Sequence, residues 1–218
     1  MAQASDDMIK KAAIAILENP MINFTDIAKK LNISQPTLYN NFKNRDDVVL
    51  QIFLFFWKKV ESAMQHLDSL NNLGEKPISQ MNTLIALSLS LVSSDAEIVK
   101  FISNFGLKRP EAYEDEELRE KRTSIRDKHY EILEKLDQLI GDAQKAGDIS
   151  IEAKPQVIRQ FLWGGILGLI YGLLISPKES MTYGYKDAFE FLAVLFKRLK
   201  SYPEEENSKV EGGDVNVQ

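Results

Sequence analysis

The stretch from Asn23 to Val48, NFTDIAKKLNISQPTLYNNFKNRDDV, constrains the fold more than any other part of the chain. Its apolar residues fall into two short helical groups around a break, the pattern of two small helices meeting across a tight turn. Asn23 predicts the cap of a helix from Phe24 to about Leu31, with Asp26 in the first turn, where a carboxylate favours the helix dipole. Ile27, Ala28 and Leu31 then share the inward face. Asn32 falls where the chain must reverse, and asparagine tolerates the left-handed conformation of a helix end. Ser34 caps the second helix, and Pro36 is harmless in a first turn, whose amides have no intrahelical partner to lose. Leu38 and Phe42 bury one face, so Gln35, Thr37, Asn40 and Asn41 point elsewhere. Packing alone gives no reason for so many exposed amides and hydroxyls on so short a helix.

The flanking segments are helical too. Ile9, Ala12, Ala13, Ile16 and Leu17 recur at helical spacing and stop near Asn19-Pro20, predicting a helix that braces the pair. A long helix follows from Asp46 to about Leu70, with Val49, Ile52, Phe53, Phe56, Val60 and Met64 as one stripe. Phe55 and Trp57 lie off that stripe, so the helix is expected to bury more than one face. Asn, Gly and Pro then mark a loop, and further helices are expected at about Ile78 to Ser93, Asp95 to Phe105 and Glu111 to Ala146. The charge run EDEELREKR in the last of these reads as a solvated face, and Gly147 as its terminator.

From Gln160 to Pro177 the chain carries no charge, and Gly164, Gly168 and Gly172 recur every four residues. The fifteen residues from Phe161 to Ile175 reach about 22 Å, short of a hydrocarbon core of about 30 Å. A buried helix whose glycines admit a close neighbour is therefore expected, not a membrane span. A final amphipathic helix is expected at about Tyr185 to Leu199, with Phe189, Leu192 and Phe196 together. Two such apolar helices need a partner surface, which a symmetric homodimer supplies. The polar, acidic stretch 201–218 predicts a disordered tail. The expected architecture is all-α, about nine helices.

Composition narrows the function. There are no cysteines, which excludes a disulfide framework and cysteine metal sites and fits a cytoplasmic protein. A net charge of -5 and a pI near 5.2 exclude a broadly basic surface, so any nucleic-acid contact must be local. No Gly-rich phosphate loop, nucleophile set or metal cluster suggests an enzyme. No cofactor is expected; a haem or metal held by His66 and His129 and a membrane-associated helical adaptor are the alternatives weighed.

TDIAKKLNISQPTLYNNFKNRDDVV, with its preceding and following helices, resembles the TetR family of bacterial transcription regulators. The resemblance is carried by Ile27, Ala28, Thr37, Leu38, Tyr39, Phe42 and Arg45 and is close over roughly residues 9–50. Asn23 and Asn32 stand where that family usually has threonine and glycine. The resemblance implies a helix-turn-helix DNA-binding domain over 1–47 and a helical ligand-binding and dimerisation domain over 48–200. It implies a homodimeric repressor on a palindromic double-stranded DNA operator, released by a small-molecule effector of unknown identity. Thr25, Gln35, Pro36 and Thr37 are expected to reach bases, and Tyr39, Asn40, Asn41, Lys43 and Arg45 complete the DNA-binding set, largely toward phosphates. Phe55, Trp57, Phe101, Phe105, Tyr130, Trp163 and Tyr171 are the candidates for lining an effector cavity. Gly164, Gly168, Gly172, Phe189, Leu192 and Phe196 are those for the dimer interface.

Overall fold

Each of the first three helices begins where a side-chain oxygen takes up an amide that the helix itself leaves unpaired. Ser5 Oγ accepts from the Met8 amide at the start of α1 (Asp6–Glu18), Asn23 Oδ1 from Asp26 at the start of α2 (Phe24–Leu31), and Ser34 Oγ from Thr37 at the start of α3 (Gln35–Asn41). Asn32, at φ 54° and ψ 46°, makes the left-handed turn between α2 and α3.

The computed structural model describes residues 4–149 and 153–175. Beyond α3 these form α4 (Arg45–Asn72), α5 (Pro77–Ser94), α6 (Ala96–Asn104), a single 3-10 turn at Pro110–Ala112, α7 (Glu116–Lys145) and α8 (Pro155–Ile175). The described residues are thus all-α, with eight α-helices and no strand. The ninth expected helix and the acidic tail lie outside them.

Two expectations need correction. The helix expected from Glu111 begins at Glu116: the 3-10 turn ends at Tyr113, an extended residue buried in the core, and Asp115 caps α7 by accepting from the Leu118 amide. The charge run that opens α7 is also more than a solvated face, because three of its residues reach across to the helix-turn-helix, as described below. At its other end α7 stops at Gly147, whose φ of 75° suits a residue without a Cβ.

The core is continuous from α1 to α7. Ile16, Ile27, Leu38, Phe42, Val48, Leu50, Ile52, Ile98, Phe101 and Ile125 belong to one buried cluster. α4 is its spine and buries more than one face, since Phe55 and Trp57 are as inaccessible as Phe53. A second cluster joins α5 to α8 through Met81, Val99, Ile140, Ala143 and Ile158. Among the described residues no helix is long and apolar enough to cross a membrane.

Candidate nucleic-acid interface and internal cavity

Leu38 and Phe42 are fully buried, which turns the other side of α3 outward. Gln35, Pro36, Thr37, Tyr39 and Asn40 are all exposed. Tyr39 is 51% exposed while its ring meets the Phe24 ring edge-on at 5.0 Å, so packing fixes the ring without hiding the residue. Other polar groups of the expected set are spent locally. The Thr25 hydroxyl donates to Asn23 Oδ1 at 2.8 Å, Thr37 and Ser34 share a hydroxyl contact at 2.8 Å, and the Asn41 amide donates to the Thr37 carbonyl.

The two cations are engaged as well. Arg45 donates to the carbonyls of Pro20 and Ile22, pinning the loop that leads into α2. Lys43 lies 2.5 Å from Glu117 and 3.0 Å from Asp115, and hydrogen bonds to Glu117 and then to Asp115 raise its pKa. Asp47, fully buried, accepts from the Lys43 amide and from Lys121. Burial acts to lower the Lys121 pKa, but its bonds to Asp47 and Glu117 outweigh that and raise it. These contacts tie the end of the helix-turn-helix to the start of α7.

A second tie sits at Asp95, between α5 and α6. Its side chain is 1% exposed and pairs with Lys10 of α1 and with Lys59 of α4 at 3.0 Å. Burial pushes its carboxyl up, yet the paired Lys10 and Lys59 ammonium groups and a hydrogen bond from the Ser94 hydroxyl leave the pKa below the ordinary value. Nothing in the residue pattern signals this role, because a lone aspartate before a helix reads as a cap.

Below these ties α4, α5, α6, α7 and α8 enclose a cavity of about 440 Å³, within the range of small-molecule pockets. Its wall is mainly carbon, from residues such as Phe53, Met64, Met81, Ile102, Leu136 and Trp163, and Ser103, His129 and Arg159 supply its polar side chains besides the indoles. Burial, then the Arg159 and Arg122 charges, push the His129 pKa down.

Of the residues expected to line such a cavity, Trp57 and Trp163 do. Phe55 does not: it is buried on another side of α4, bordering a hollow shared with Ala4 and Ile9. Phe101 stands behind the wall, stacked on Phe105 at 4.4 Å, and neither residue lines the cavity. Tyr130 is 57% exposed and outside it. The Tyr171 side chain lies outside the described ones.

His66 is exposed on α4 and does not share the cavity with His129, and the described residues contain no group of three or more side chains able to hold a metal. On α8, Gly164 and Gly165 are exposed with open space where a Cβ would stand, and Val157 and Phe161 are exposed nearby. The Gly168 and Gly172 neighbourhoods, and Phe189, Leu192 and Phe196, lie outside what is described.

No family model and no curated protein matches the chain. Solved structures do. The ketosteroid transcriptional regulator KstR2 of Mycobacterium tuberculosis is similar over 90% of this chain and 97% of its own, at 14% identity and a TM-score of 0.67. FadR of Bacillus subtilis, solved with stearoyl-CoA, is similar over 89% and 97%, at 19% identity and a TM-score of 0.61. PfmR of Thermus thermophilus, a TetR-family regulator, is similar over 92% and 97%, at 15% identity and a TM-score of 0.61. With its helix-turn-helix at one end and its cavity within the following helices, the chain has the fold of the TetR family of transcriptional regulators along nearly its whole length.

Proposed function

We propose that the protein is a TetR-family transcription regulator, not an enzyme, that binds operator DNA and responds to an apolar small molecule. The observation that carries this reading is the coexistence, in one continuous core, of an outward α3 bearing Gln35, Pro36, Thr37, Tyr39 and Asn40 and a largely apolar cavity. Gln35 has the bidentate amide suited to adenine, and Pro36 and the Thr37 methyl suit a thymine methyl. Tyr39 is a phosphate donor held by Phe24. Lys43 reaches phosphate only by giving up Asp115 and Glu117, which makes it a reserve contact.

The protein acts as a homodimer, with the exposed Val157, Phe161, Gly164 and Gly165 face of α8 as part of the interface. Two heads spaced about 34 Å apart then enter successive major grooves of a palindrome. Effector in the cavity favours a dimer of different spacing and releases DNA, which makes the protein a repressor. The FadR solved with stearoyl-CoA and the ketosteroid regulator suggest effectors of similarly apolar bulk.

Fluorescence anisotropy with DNA upstream of the protein's own gene tests the reading. Wild type is expected to bind one palindromic segment. Gln35→Ala should flatten preference among sequence variants of that segment, and Tyr39→Phe should weaken binding to all of them by a similar factor. Indistinguishable affinity of wild type for operator and scrambled DNA overturns the proposal.

A further inference from the structure

Arg159 is the one charged side chain among the described residues of the cavity wall. It enters from α8 and is only 17% exposed, so most of its charge has left water. Its partner is Asp137 of α7, with Nε 3.3 Å from Oδ1. That approach is an ion pair without a hydrogen bond, for Asp137 Oδ1 is buried and has no hydrogen-bond partner. A guanidinium offers five N–H donors in a planar fork. No hydrogen bond from this one reaches another described residue. A buried cation in carbon surroundings with its donors unmet is costly, and a planar anion that accepts two of them removes that cost. Ser103 and His129 are the other polar side chains on the same wall.

We infer that the effector is an apolar molecule ending in its own carboxylate, which enters the cavity and is held by Arg159. This rests on reading the cavity as the effector site. Asp137 is a positioning residue: it fixes the guanidinium at the wall while leaving the outer nitrogens for the ligand. An ester or alcohol of the same shape fills the carbon-lined space equally well but leaves the guanidinium unmet. The site therefore selects a free acid over its neutral counterparts.

The chain's two tryptophans, Trp57 and Trp163, both line the cavity and report on its occupation. The experiment titrates the full-length protein with hexadecanoate and cholate as acids, and with 1-hexadecanol and methyl cholate as neutral counterparts, following tryptophan emission. At least one acid is expected to bind about tenfold or more tighter than its neutral counterpart, the scale of a charge-assisted hydrogen bond. The double variant Arg159→Gln with Asp137→Asn, which leaves no unpaired charge, should lose that preference while still binding the neutral molecules. Equal wild-type binding of acids and counterparts overturns the inference, and needs no variant to fold. So does binding of neither class, or an acid preference that survives in the double variant. Operator binding is measured separately on the same wild-type preparation. Lost acid selectivity with DNA binding intact sinks only this inference, and intact selectivity without operator binding sinks only the proposed function.

Discussion

The bonds that shape the reading head, Asn23 with Asp26 and Thr25, Ser34 with Thr37, and Asn41 with Thr37, each span four residues or fewer. The cavity instead takes its wall from residues between Phe53 and Trp163, on five helices. The head is thus a locally specified device and the cavity a product of how distant helices stack. Yet both are rooted in one core, since Leu38 and Phe42 belong to the same buried cluster as Ile125 and Leu136. The charged ties at Asp47 and Asp95 cross between them. A locally specified helix-turn-helix and a non-local pocket then share one stability.

The largest effect should come from Phe42→Ala. The ring is fully buried under α3, and losing it should cost about 3–5 kcal/mol. Urea unfolding followed by tryptophan emission and by circular dichroism should show one transition, moved to lower denaturant, because the core has no seam there. Two separated transitions, with the helix-turn-helix melting first, would break the idea of a common root.

That contrast also decides what was legible in the sequence. Asn23, Asn32 and Ser34 announce their roles because caps and left-handed turns depend on neighbours in the chain. The cavity residues do not. Successive helical residues point about 100° apart, so Phe55 and Trp57 look in opposed directions, and only packing says which faces the cavity. The same rotation puts His129 on the wall and leaves its neighbour Tyr130 exposed. Lys43 and Arg45 read as phosphate contacts because their acceptors, Asp115, Glu117 and the Pro20 and Ile22 carbonyls, are remote in sequence. Arg159 had no signal at all, since a single arginine near the start of an apolar helix looks like a solvated end.

An intermediate effect is expected for Asp95→Ala. It removes a buried carboxylate from Lys10 and Lys59, but those side chains are 41% and 35% exposed and recover much of their hydration. The expected loss is therefore about 1–3 kcal/mol, below that of a fully buried pair. Because Lys10 belongs to α1 and Lys59 to α4, the proposed function adds the expectation that the variant blunts the response of DNA affinity to effector. Comparing operator affinity with and without a bound effector measures this. An unchanged ratio alongside the lost stability would make Asp95 a structural anchor only, and would leave the Asp47 tie to α7 as the route between the two regions.

The smallest effect is a pH dependence that sharpens the comparison from the cavity side. Burial, Arg159 and Arg122 hold the His129 pKa below its ordinary 6.5, so the folded protein keeps this ring neutral where the unfolded chain has begun to protonate it. The unfolded state then binds more protons, and stability must fall as pH drops from 6.5 toward the folded value. Well above 6.5 both states are neutral at this ring and the slope vanishes. Asp95, Asp115 and Glu117 also have lowered pKa values and act with the same sign in a more acidic window, adding stability that is lost as pH falls from the ordinary 3.8 to 4.5 of such groups through their folded values. Melting curves between pH 7.5 and 5 therefore isolate the histidine. Wild type should lose stability over that interval, and His129→Gln should lose less. The Arg159→Gln, Asp137→Asn variant should fall between them, because removing the Arg159 charge relaxes His129 toward 6.5 while burial remains. Superimposable pH profiles for wild type and His129→Gln would mean that water reaches the ring freely, and that the cavity is wetter than its carbon-rich wall implies.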